Sequence, residues 1–220
     1  MDMPKNILTS KLCAYVASAR SAMGLTHYDD VPTPRMRGDI FFRMIDTSTG
    51  EVLCDHAIRN IITRDMSILV ARLLRSNGEP SRGLSMLAVG TGDIGWNPMA
   101  PPVETNTQRS LYNEIARKPF AMTTFVDAGG NPTLIPTNVI DLTTTFSEAE
   151  AVGPLVEMGL LGGDADPMNI ALTNPILPPN GPYDPAENVV GKDMLCNYKT
   201  FPVINKPATA TLTITWRITT

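Results

Sequence analysis

Histidine is nearly absent from this chain: two occur in 220 residues, His27 and His56. A Ser-His-Asp or Cys-His centre would have to be built on one of them, and a structural role is the simpler reading of each. Cysteine is sparse as well. Cys13, Cys54 and Cys196 are widely spaced with no CxxC pair, which argues against a zinc site or a thioredoxin-type motif and predicts buried free thiols in a reducing compartment. There is no excess of positive charge. Lys and Arg number 18 against 22 Asp and Glu, and a net charge of −4 offers no broad basic surface, so no nucleic-acid partner is expected. Long apolar runs are missing too, with none approaching about eighteen residues. Asp2, Lys5, Lys11 and Arg20 are threaded through the apolar positions of the N-terminus. Neither a membrane partner nor a secretion signal is therefore expected.

What the chain has in quantity is turn-forming residues and short apolar stretches. Nineteen prolines and sixteen glycines, spread without a repeat, punctuate a sequence that is 43% hydrophobic, which predicts a soluble, β-rich domain with a substantial core. The clearest single stretch is Ala208 to Thr220 (ATATLTITWRITT). Ala208, Ala210, Leu212, Ile214, Trp216 and Ile218 share one parity and threonines with Arg217 the other, the period of a half-buried strand. Leu212, Ile214, Trp216 and Ile218 are its predicted core face. Such a strand would span about 40 Å and needs something to pair with, which points toward assembly.

Along the rest of the chain, Leu8, Leu12, Tyr15, Val16, Ala19 and Met23 recur at helical spacing before Gly24. This N-terminal helix packs either on its own domain or on a neighbouring subunit, and His27 to Arg37 has the chemistry of a linker. Asp39 to Ile45 and Glu51 to Ile62, joined by DTSTG, predict a hairpin or neighbouring strands. Met66, Leu69, Val70, Leu73 and Leu74 predict a helix with Thr63 as its N-cap and Asn77-Gly78 as its stop. Strand material is expected at Leu84 to Val89, Thr105 to Phe120, Ala121 to Val126, Asn138 to Phe146, Leu155 to Leu161 and Met194 to Phe201. Asn174 to Asn188 holds five prolines. It reads as a long loop that is either an exposed contact or a clamp over another subunit, with Pro178, Pro179 and Tyr183 as the candidate inter-subunit residues.

Several groups imitate active-site motifs. Gly90, Gly92 and Gly95 match GxGxxG, but a dinucleotide turn must open a helix, and Trp96 to Pro102 (WNPMAPP) forbids one. Glu148 and Glu150 read as a solvated turn flank rather than a glycosidase pair. Asp164 and Asp166 read as an Asx-type turn rather than a calcium loop. Arg109, Arg117 and Lys118 are too few to track phosphates and suit salt bridges, including bridges to a neighbouring subunit.

The ordered motifs resemble a family. Asn60-Ile61-Ile62-Thr63, the helix to Leu74, Leu87 to Gly92 (LAVGTG), Leu111 to Lys118 (LYNEIARK), Phe146 to Glu150 (FSEAE), Val156 to Leu160 (VEMGL) and Thr211 to Ile218 (TLTITWRI) look like a module of tailed-bacteriophage virion proteins, described as tail-fibre, collar or baseplate-associated components. The resemblance covers residues 40 to 220 and rests on the order and spacing of the motifs. It implies a non-catalytic β-sandwich that forms symmetric oligomers, often trimers. The expectation is thus a mainly β chain: a jelly-roll-like or Greek-key sandwich over residues 38–220 with one covering helix, preceded by a helical arm and linker over 1–37. No catalytic residue, cofactor or metal is expected. The partners would be further copies, as a trimer or higher ring, and other phage tail or neck proteins. A carbohydrate- or receptor-binding module is the rival, with Tyr183 and Trp96 stacking on sugar rings.

Overall fold

The DTSTG turn does what its composition suggests. In the computed structural model, which describes residues 36–75, 82–163 and 193–220, β1 (Arg37–Asp46) and β2 (Val52–Arg59) form an antiparallel hairpin around it. Asp46 closes the turn. Its Oδ1 accepts the Ser48 and Thr49 amides at 2.9 and 3.0 Å, while Gly50 takes the left-handed conformation at φ 72°. These bonds hold the Asp46 carboxyl down to about 2, with the Ser48 hydroxyl as the largest cause.

The strand expected from Glu51 to Ile62 breaks at Asn60. β2 stays beside β1, whereas β3 (Ile61–Ile62) crosses to pair with Asn197 and Tyr198 in a second sheet. The chain then enters helix α1 (Arg64–Arg75). Thr63 stands just before the helix, at the expected cap position. Its hydroxyl donates to the Leu195 carbonyl, tying the helix start to the second sheet. Met66 and Leu69 bury against Met194 and Cys196, as the apolar stripe requires.

The remaining strands are β4 (Arg82–Gly90), β5 (Glu114–Pro119), β6 (Met122–Val126), β7 (Pro132–Thr133), β8 (Val139–Phe146), β9 (Gly153–Gly163), β10 (Asp193–Lys206) and β11 (Ala210–Thr219). They form two antiparallel sheets, ordered β2-β1-β11-β8-β6-β7 and β3-β10-β9-β4-β5. Ile40, Phe42, Leu142, Phe146, Leu212, Ile214 and Trp216 of the first sheet share one core with Leu87, Val89, Leu155, Met158, Leu160 and Phe201 of the second. The described residues form a β-sandwich with one covering helix.

β11 differs from its expectation in one respect. Leu212, Ile214, Trp216 and Ile218 are all buried, but the strand does not wait for an outside partner. It lies in the middle of the six-stranded sheet, with Arg37 to Asp46 paired along one edge and Val139 to Phe146 along the other. Its threonine face is laced to β8 through Thr143–Thr215 and Thr145–Thr213 hydroxyl contacts of 3.0 and 3.2 Å. The stretch from Thr105 to Phe120 is a second correction. Only Glu114–Pro119 is strand, because residues 105–113 are drawn across the second sheet by the bonds described next. The N-terminal arm with Cys13 and His27, the Asp164–Asp166 turn and the Pro178, Pro179 and Tyr183 loop lie outside the described residues.

Candidate functional site

β9 carries a single acid in an apolar run, and that acid organises the far face of the second sheet. Leu155, Met158 and Leu160 face the first sheet, while Glu157 points the other way and is fully buried. A bare carboxylate there would be costly, so it must be met by donors. Four meet it. Oε1 accepts the Asn113 amide at 2.8 Å and the Gly92 amide at 3.2 Å; Oε2 accepts the Tyr112 amide at 3.0 Å and the Tyr198 hydroxyl at 2.7 Å. Burial raises the affinity of Glu157 for a proton, and the four donors act against that rise. The Tyr198 phenol is pushed up by its own burial and then by Glu157.

The two places where Glu157 grips the backbone are the two ends of one connection, residues 91–113. The ends are also joined directly, by Thr91 N to Asn113 O at 2.9 Å and by Asn113 Nδ2 to Thr91 Oγ1 at 2.6 Å. Between them the connection is pinned along β10. Val203 N donates to Pro98 O at 2.8 Å, Thr200 Oγ1 donates to Pro102 O at 2.8 Å, and Lys199 pairs with Glu104. Arg64 N at the helix start donates to Asn106 O at 2.8 Å. Leu111, fully buried, plugs the sheet beside Met86, Ala88, Leu161, Leu195 and Tyr198. Residues 91–113 are therefore a strap that forms a third layer with α1.

Glycine is needed at the strap's first fastening. Gly92 has φ 67°, and a Cβ there would stand 2.4 Å from Trp96 Cε3 and 2.7 Å from Val156 Cγ2. Both the left-handed backbone and the space exclude a side chain. Gly92→Ala should lower stability by about 1–3 kcal/mol. A urea-unfolding midpoint unchanged from wild type would show that the strap end is not under this constraint. The GxGxxG match thus has a packing role, and a turn rather than a helix follows Gly92.

While its inner side is fastened, the strap shows apolar side chains outward. Ile94, Met99 and Val103 are exposed, as are Leu134 and Ile135 on the β7–β8 connection. Trp96, expected to be exposed, is half-buried; it packs on Gly92 and meets Tyr112 edge-on at 4.7 Å between ring centres.

The other sequence candidates take structural positions. Arg117 is buried in a two-pronged bridge to Glu114, at 2.6 and 3.0 Å, and Lys118 Nζ meets Glu150 at 2.6 Å, so both cations pair within the chain. Arg109 is buried. Glu150 also accepts the Ser147 amide at 2.8 Å, and the adjoining carbonyls of Ser147 and Glu148 receive Lys206 Nζ at 2.7 and 3.1 Å. That glutamate pair sits on a turn after β8, as expected, but is half-buried rather than solvated. His56 is half-buried on β2 and lines an open groove of about 590 Å³ with Met44, Leu53, Cys54, Val203 and Ile204. Cys54 and Cys196 are free and buried, and burial raises the Cys54 thiol to about 11. Among the described residues, no group of three His, Cys, Asp or Glu could hold a metal, and no helix is long and apolar enough to cross a membrane.

The strap was missed in the sequence because its fastenings come from Glu157, Lys199 and Thr200, far along the chain. The one available signal was an isolated glutamate inside Leu155 to Leu161. No family model matches this chain, and no curated protein matches it.

Proposed function

We propose that this chain is a non-enzymatic structural subunit of a tailed-bacteriophage virion, at the neck or collar, a tail-fibre attachment or the baseplate, which associates into a symmetric trimer or higher ring. The observation that carries the reading is the strap: a long connection fastened on its inner side that holds Ile94, Met99 and Val103 in solvent. Apolar side chains held outward by a rigid backbone suit a surface covered by another subunit. A second support is where the resembling motifs fall. Tyr112 and Asn113 of LYNEIARK and Gly92 of LAVGTG all donate their amides to Glu157 of VEMGL, so three of the motifs meet at one architectural joint.

Light scattering on the purified protein tests the assembly. The expected mass is three or more times 23.8 kDa, with rings or short stacks in electron micrographs. A monomer at every concentration would overturn the reading. The carbohydrate-binding rival predicts glycan-array signal that depends on Trp96, whose indole is already engaged by Gly92 and Tyr112.

A further inference from the structure

We infer that the outer edge of β2 pairs with the same edge of a second copy, antiparallel about a two-fold axis at Ala57, with Asp55 of each copy opposite Arg59 of the other. The inference rests on the reading of the chain as an assembling subunit; being two-fold, the contact joins a copy in one ring to a copy in a second ring facing it and is not the contact that closes a ring.

β2 is the terminal strand of its sheet, with β1 on one side and no further strand beside it among the described residues. Such an edge presents unpaired backbone donors and acceptors, and soluble proteins commonly blunt it with charge. Here the charge is of both signs. Asp55 and Arg59 stand two residues to either side of Ala57, and all three are exposed. Their pairing with Arg43, Asp39 and Phe41 of β1 sets them on the face away from the core, since Ile40 and Phe42 point inward. Arg59 also lies 3.5 Å from Asp39, yet two thirds of its side chain remains open to solvent.

The spacing selects the partner. In an antiparallel self-pairing the residue two before the axis meets the residue two after it. An axis at Ala57 therefore makes the Asp55–Arg59 pair twice, each directly opposed pair contributing roughly 0.2–1 kcal/mol. An axis at Asp55 or at Arg59 would instead set like charges face to face. The residue at the axis is small, and its neighbour Phe41 is itself 39% exposed, so an apolar row from one copy continues into the other. On the inner face the half-buried His56 meets Ile58 of the second copy. The shared ladder covers residues 55–59, ending where the chain leaves the sheet at Asn60.

The test is site-directed cross-linking of the full chain together with charge exchange. Facing Cα atoms of an antiparallel pair lie about 4.5–5.5 Å apart, within disulfide reach. A57C should give a disulfide-linked dimer on mild oxidation, and wild type should not. Adding D55R to A57C should weaken association about tenfold and cut the yield; adding R59D as well should restore it. Light scattering at about 100 µM runs alongside, a concentration at which a contact of this size is populated. An oligomer that does not cross-link through position 57, or whose cross-linking ignores D55R, overturns this contact and leaves the assembly reading standing. A monomer at that concentration overturns both.

Discussion

Glu157→Ala is expected to cost about 4 kcal/mol of folding stability, because it strips three backbone amides and the Tyr198 hydroxyl of their acceptor in a dry site. The loss should appear as a lowered urea midpoint and as faster amide exchange at residues 91–113, whose ends the carboxylate joins. A cost below about 1 kcal/mol would mean that solvent replaces the carboxylate readily, and the strap would then not depend on it. Glu157→Gln should cost less, since the amide keeps one oxygen for Gly92 and Asn113. Its NH₂ would face the Tyr112 amide, so two donors would oppose each other.

Acidity gives an independent reading of the same residue. Burial lifts the Glu157 carboxyl above its ordinary value of 4.5, so the folded state holds this proton more firmly than the unfolded chain does. The stability this contributes is fully present below 4.5 and is lost as pH rises through the raised value. Wild type should therefore lose stability relative to Glu157→Gln over that upward window, measured by urea unfolding at stepped pH. Asp46 works in the opposite sense. Its value is lowered to about 2, so what it contributes is present above 3.8 and lost as pH falls through about 2, outside the Glu157 window.

Trp216→Ala is the other change expected to be severe, at about 4 kcal/mol and a fall in melting temperature of roughly 10 °C. The indole is wholly buried on the central strand, and its Nε1 lies 2.8 Å from where a Cβ on Gly38 would stand. No neighbour can collapse into the space without moving β1 or β8, both of which are hydrogen-bonded to β11. Trp216→Phe should recover part of the loss by refilling the volume. A Trp216→Ala protein with wild-type melting would show that the sheets close the gap at little cost.

The residues that announced themselves in the sequence were those whose environment is local. The DTSTG turn, the stripe of Met66 and Leu69 and the alternation of Ala210 to Ile218 each place their side chains by a short-range period, and each is found where the period puts it. Proline after Gly95 was enough to remove the helix that a nucleotide turn requires. What depended on distant partners was not legible. The polar spacing of residues 105–113 looked like strand because nothing nearby shows that Glu104, Leu111 and Asn113 are claimed by β9 and β10. Likewise, a long alternating strand looks the same at an edge as at a centre. Only the register from Arg37↔Thr219 to Asp46↔Ala210 shows that β1 already occupies the place reserved for a partner.

That register also governs how the molecule forms. Thr47 meets Thr211 across 164 residues of chain, so the β1–β2 hairpin, which can close locally, lacks its neighbour on the other edge of β1 until β11 is available. Closing so large a loop precedes any gain from the pairing, which makes folding slow and leaves the Ile40, Phe42 and Met44 face uncovered in the interval. The nascent domain therefore passes through a period in which its most adhesive surface is open to other chains. Crowded synthesis at high temperature, where folding slows and sticking quickens, should divert this protein into aggregates well before its finished fold would melt.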